Sequence, residues 1–158
     1  MNSIKRQYYF EVFSREEDIR GNEIRSELND LNLARIKQVY TSRIYILEGL
    51  IAEPRDQVLE KIACQILSDT VVEDYSFTRR SFEGAEVIVR FKPEVLNIEA
   101  LRVLEALDIM DMSGIDDVKT AARYIIEGDE KLNYAVCSHM CSKVIYNKVI
   151  QSAEVVLE

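Results

Sequence analysis

Val39-Tyr40-Thr41-Ser42-Arg43-Ile44-Tyr45-Ile46-Leu47-Glu48-Gly49 returns without a gap as Val118-Lys119-Thr120-Ala121-Ala122-Arg123-Tyr124-Ile125-Ile126-Glu127-Gly128. Val, Thr, Tyr, Ile, Glu and Gly are identical at matching places, 79 positions apart in a chain of 158 residues. A period of half the chain marks a tandem duplication. The stretch is too β-branched and aromatic for a helix, so each copy reads as a long central strand. The flanks repeat in pattern. Tyr8 to Phe13 and Glu86 to Phe91 are strand-like runs before the match, and Phe13 aligns with Phe91. After it, each copy has an amphipathic stretch and a β-branched run, Leu67 to Glu73 and Ile145 to Gln151. A register slip of about one residue in these flanks fits a loop insertion or deletion.

The spacing predicts strands over 6–14, 36–48 and 71–77, with helices over 21–32 and from Pro54 onward. Ile24, Leu28 and Leu31 mark the inner face of the first helix; Val58, Leu59, Ile62, Ala63 and Ile66 mark that of the second. The second copy predicts strands over 85–92, 117–127 and 150–155. Its first helix runs over 98–110, capped by Asn97, with Leu101, Leu104 and Leu107 inside. Its second runs over 130–146, with Leu132, Val136, Met140 and Val144 inside. Each copy is β-α-β-α-β, residues 1–82 and 85–158, divided at Phe82-Glu83-Gly84-Ala85. The strands are not continuous apolar runs, which disfavours a doubly wound parallel sheet. The fold class is α+β, a two-layer sandwich built as a pseudo-dimer. A single copy would have a marginal core, and burying one copy against the other solves that.

Hydrophobic content of 47% and charged content of 30% are those of an ordinary globular protein. No apolar run approaches the roughly 20 residues needed to cross a bilayer, and the start, Met1 to Arg6, lacks an apolar leader core. The chain reads as cytoplasmic, with no membrane partner. The net charge of −8 repels phosphate backbones and argues against nucleic acid. The last residues, Val155 to Glu158, carry no stop signal, so the sequence reads as an N-terminal segment of a longer enzyme or as a stand-alone fused subunit.

Chemistry-bearing residues are sparse. Cys137 and Cys141 share a helix face at i, i+4, while His139 points elsewhere; Cys64 is the remaining cysteine. Zinc needs about four ligands in paired short-spaced motifs, and a thiol nucleophile needs a base within reach. Neither pattern is met, and buried packing is the reading for these residues. Glu16-Glu17-Asp18 and Asp108, Asp111, Asp116 and Asp117 do not match a calcium loop. No phosphate loop or dinucleotide fingerprint occurs. No metal, cofactor or catalytic residue is assigned. Tyr45 and Tyr124 occupy equivalent places and read as core packing or a seam contact. Arg43, Arg90, Lys92 and Arg123 are candidate contact charges beside solvated strand edges, although Arg43 aligns with Ala122 and so has no symmetric partner.

Ile66-Leu67-Ser68-Asp69-Thr70-Val71-Val72-Glu73-Asp74-Tyr75 resembles the helix end and strand of PurS, the small subunit of phosphoribosylformylglycinamidine (FGAM) synthase, which reads Leu-Leu-Ala-Asn-Thr-Val-Ile-Glu-Asp-Tyr. Val89-Arg90-Phe91-Lys92-Pro93-Glu94-Val95-Leu96-Asn97 is similar to that family's strand and Lys-Pro-Gly-Val-Leu-Asp turn, with Glu94 in place of glycine. Val39 to Tyr45 is similar to the central strand of fused FGAM synthases, which carry two PurS-like copies at their N-terminus. The resemblance implies a docking segment of purine biosynthesis. Its partners would be the glutaminase and synthetase domains or subunits. ATP and magnesium would be used by the parent enzyme and not bound by this segment, which would be non-catalytic alone. Pro93 joins Arg43, Tyr45, Arg90, Lys92, Arg123 and Tyr124 as a contact candidate, and self-association is allowed. The competing reading is a small-molecule-sensing module or a dimerisation scaffold.

Overall fold

The computed structural model describes residues 5–112 and 114–157. The start of the chain at residues 1–4 and the final Glu158, both used in the sequence reading, lie outside the described residues. Strands are β1 (Arg6–Ser14), β2 (Ile36–Gly49), β3 (Glu73–Ser76), β4 (Ala85–Phe91), β5 (Ile115–Gly128) and β6 (Gln151–Val156). Helices are α1 (Ile19–Asp30), α2 (Arg55–Ile62), α3 (Ile98–Ile109) and α4 (Tyr134–Val144), and a π-helical turn, Ala63–Leu67, extends α2. The strand order is β3-β1-β2-β5-β4-β6, and β1 with β2 and β3, and β4 with β5 and β6, pair antiparallel. The fold is α+β, as the element pattern predicts.

The second copy follows the first at a nearly constant distance along the chain. α1 and α3 have 12 residues each, β2 and β5 have 14 each, and β4, α3, β5 and α4 each begin 79 positions after their counterparts, with β6 at 78. The chain reverses out of α1 through Asn32 at φ 56° and out of α3 through Asp111 at φ 59°. Asn and Asp are the side chains that tolerate this left-handed conformation best.

The compact units are not the two sequence halves. One comprises residues 5–16, Arg43–Arg80 and Asn97–Thr120; the other comprises Glu17–Ser42, Ser81–Leu96 and 121–157. Each therefore takes its first helix from one copy and its second helix from the other.

In the first unit, β1 presents Tyr8, Phe10 and Val12 at alternating positions, and β2 adds Tyr45 and Leu47. Ile62, Ala63, Ile66 and Leu67 of α2 and its π-turn close over them, with Ala100, Val103 and Leu107 of α3. Leu101, expected inside α3, is 50% exposed. The buried stripe is Ala100, Val103 and Leu107, because the Asn97 cap fixes the rotation of the helix. In the second unit, Val87 and Val89 of β4 pack with Ile24 and Leu28 of α1 and with Cys137, Met140 and Cys141 of α4. Burying each large apolar side chain contributes about 1.5–3 kcal/mol. Gly49, at φ 146°, lets β2 end against β5, since a Cβ there would collide with the Gly114 carbonyl oxygen.

Candidate functional site

The identical threonines of the repeated segment have a shared structural task. Asp18 caps α1 by accepting from the Gly21 amide at 2.8 Å, and it also accepts from the Thr41 amide at 2.6 Å and the Thr41 hydroxyl at 2.9 Å. Asn97 caps α3 by accepting from the Ala100 amide at 3.1 Å, and its Nδ2 donates to Thr120 Oγ1 at 2.8 Å. Cap and strand hydroxyl recur 79 positions apart. Each pair ties a helix start to a central strand, satisfying a donor the helix leaves open. The backbone repeats this relation: the Leu50 amide donates to the Gly114 carbonyl at 2.9 Å, and the Asp129 amide to the Arg35 carbonyl at 3.0 Å.

A polar cluster unique to the first unit forms where α2 ends. The π-turn leaves its last carbonyls pointing off the helix axis. Arg43, from β2, donates to the Leu67 carbonyl at 3.1 Å, to Glu73 Oε2 at 2.5 Å and to the Tyr45 hydroxyl at 3.2 Å. Arg102, from α3, donates to the Ile66 carbonyl at 3.3 Å and to both oxygens of Glu99. Tyr45 links Arg43 to the Glu99 carboxylate, accepting from Arg43 and donating to Glu99 Oε1 at 2.9 Å. Two guanidiniums thus cap a helix C-terminus, where positive charge is favoured. Burial opposes the charge on Arg43, but its bonds to Glu73 and Tyr45 outweigh this and hold it above the ordinary arginine value. Burial likewise opposes the Glu73 carboxylate, yet Arg43 and the Asp69 amide keep it below the usual carboxylate range. The Arg102 hydrogen bond lowers Glu99 in the same way. Burial pushes the Tyr45 phenol up.

The segment joining the copies is fastened to the strands at both ends. In the first unit the Arg80 guanidinium lies 3.5 Å over the Phe13 ring and 3.4 Å from the fully buried Glu11, whose carboxylate also accepts from the Arg80 amide at 3.0 Å. In the second unit Phe82 stacks on Tyr40 at 4.7 Å between centroids, and Arg123 pairs with Glu86 at 2.7 Å, both largely buried.

The structure brings Arg43 and Tyr45 together in one cluster. Arg123 is 3% exposed, and Tyr124 packs half-buried against the second core, where burial raises its phenol. Arg90 is exposed and pairs loosely with Glu154 at 3.6 Å. Lys92 is half-buried at the start of a turn closed by the Val95 amide, and its own amide donates to the Ile150 carbonyl; Pro93 is exposed. Cys137 and Cys141 face the core, His139 is exposed, and Cys64 lies 3.2 Å from the Tyr75 hydroxyl. The thiols and the imidazole are therefore not brought together. Sequence reasoning did not single out Glu73, Glu99 and Arg102. The available signals were an acid in the first turn after the Asn97 cap and an arginine three residues on.

Residues 84–158 match the family model described as PurS: phosphoribosylformylglycinamidine (FGAM) synthase. The second copy is similar to the PurS family over its whole length. The match begins at the glycine before β4 and covers every element of the second copy, including the Lys92-Pro93 turn and the Asn97 cap. The description of that model names FGAM synthase. No curated protein matches the chain. No helix among the described residues is long and apolar enough to cross a membrane.

Proposed function

We propose that the chain is a pair of PurS-like repeats, 1–82 and 85–158, that serves FGAM synthase as a non-catalytic docking component. It bridges the glutaminase and the ATP-dependent synthetase, in the cytoplasm, and binds neither ATP nor magnesium itself. The observation that carries the reading is the recurrence of PurS-family structure outside the matched segment. The cap, the cap–threonine bond and the left-handed residue of the matched segment each reappear 79 positions earlier, at Asp18, Thr41 and Asn32. An unrelated N-terminal half would have no reason to repeat them.

Burial sorts the contact candidates. Tyr45, Arg123 and Tyr124 are committed to their units, whereas Arg90 and Pro93 are exposed at the β4–α3 connection. Within the first unit, Ile98, Leu101 and Ile109 leave an exposed apolar stripe along α3, at 72%, 50% and 77%. This α3 stripe is the docking surface of the proposal. The test is co-elution of the purified chain with a synthetase lacking its PurS part, together with assays of the chain alone. We expect a stable complex, weakened by Ile98→Asp with Leu101→Asp, and no glutaminase or ATPase turnover without partners. Turnover by the isolated chain, or no complex with a folded chain, overturns the proposal.

A further inference from the structure

In the first unit, the exit of β2, the start of α2 and the turn after α3 enclose a cavity of about 440 Å³. Its wall is apolar, formed mainly by Leu50, Ile51, Val58, Ile62 and Met112. Lys61 and Asp111 stand at its margin. In the other copy, the counterparts of Val58, Lys61 and Ile62 are Cys137, Met140 and Cys141, all fully buried. Ile62 is buried as well, so the two helices differ here at Val58 and Lys61, which stay accessible. A half-enclosed apolar cavity of a few hundred Å³ with a small number of polar groups is the usual form of a small-molecule site.

The two charges define the ligand. Neither Lys61 nor Asp111 has an ion-pair or side-chain hydrogen-bond partner among the described residues, whereas Lys5, Lys37 and Lys119 each pair with a carboxylate. Asp111 is held at φ 59° by the turn that ends α3, which fixes where its carboxylate starts. An apolar cavity bordered by one free ammonium and one free carboxylate suits a molecule with an apolar body and both opposite charges.

We infer that the first unit binds a free α-amino acid with an apolar side chain. The side chain enters the cavity between Val58 and Met112, the ligand carboxylate meets Lys61, and the ligand ammonium meets Asp111. The site stands apart from the FGAM synthase reading: it does not use the α3 face, and failure of partner docking leaves it intact. The experiment uses the whole chain with L-leucine, L-phenylalanine and L-tryptophan as probes. The protein contains no tryptophan, so a change in L-tryptophan emission on binding is read free of a protein tryptophan signal.

The expected result is saturable binding by all or some of these, with the methyl resonances of Met110 and Met112 shifting and that of Met140 unmoved. Isocaproate and isoamylamine, each lacking one charge, should bind about tenfold more weakly than L-leucine. Lys61→Ala and Asp111→Asn should each weaken L-leucine by about tenfold, and Val58→Trp, which fills the cavity, should abolish binding. If Val58→Trp does not fold, the two surface variants decide alone. Absence of binding at millimolar probe, or binding indifferent to Lys61→Ala and Asp111→Asn, overturns the assignment.

Discussion

Thr41 and Thr120 show how a single residue type can hold a duplicated fold together. Each meets the cap of the helix that precedes its strand, so the helix start, its rotation and the strand register are set together. Asp18→Ala and Asn97→Ala should each cost about 1–2 kcal/mol in urea unfolding, with Asp18 the larger because it also binds the Thr41 amide. Thr41→Val made on top of Asp18→Ala should add much less than it does alone, since the two share one bond network. Strict additivity would contradict the coupling. The carboxylates Glu73 and Glu99 make the first unit acid-sensitive. Each is held below the ordinary 4.5 of a glutamate, so the unfolded chain takes up protons first. Their contribution is complete above that value and is lost as pH falls through the lower folded values. Glu73→Gln should flatten the acid limb of stability against pH, and an unchanged limb would remove Glu73 from the cluster. Arg43 and Tyr45 of this cluster were legible in the sequence. Glu99 and Arg102 were not, because their role depends on where the π-turn carbonyls point.

Elements were easier to read than their exact faces. Strands were visible from β-branched runs, and helix starts from Asn97 and Pro54. Leu101 was expected inside because it is larger than Ala100, but the cap geometry turned Ala100 inward and left Leu101 to solvent. The π-turn has no sequence signature, since its widened hydrogen bond, from the Ser68 amide to the Ala63 carbonyl at 3.0 Å, is selected by tertiary partners. The connection between β3 and β4 read only as a boundary. It is an anchored element, because Arg80 neutralises a Glu11 that no water reaches. Arg80→Ala should cost about 2–3 kcal/mol by leaving that carboxylate under-satisfied. Thermal or urea unfolding checks this, and a change near zero would mean the connection does not hold the strand.

At the scale of the molecule, the chain's two compact units each draw helices from both copies, so neither copy contains a complete core. This is the physical reason to keep two copies in one chain: each supplies the helix that the other's strands need. It also predicts that residues 1–82 and 85–158 expressed separately stay largely unfolded and recover structure on mixing, as circular dichroism would show. Two independently folded halves would contradict it. The repeat was legible at this scale from eleven residues, whereas the exchange of helices was not, because sequence spacing is the same with or without it.

The measurement that tests the central claim most directly is reconstitution of glutamine-dependent FGAM formation. The purified chain is added to a glutaminase and a synthetase core lacking its PurS part. The account predicts that activity returns in proportion to chain bound, and that Ile98→Asp with Leu101→Asp loses most of it while the variant stays folded. A folded wild-type chain that neither binds nor restores activity would contradict the account.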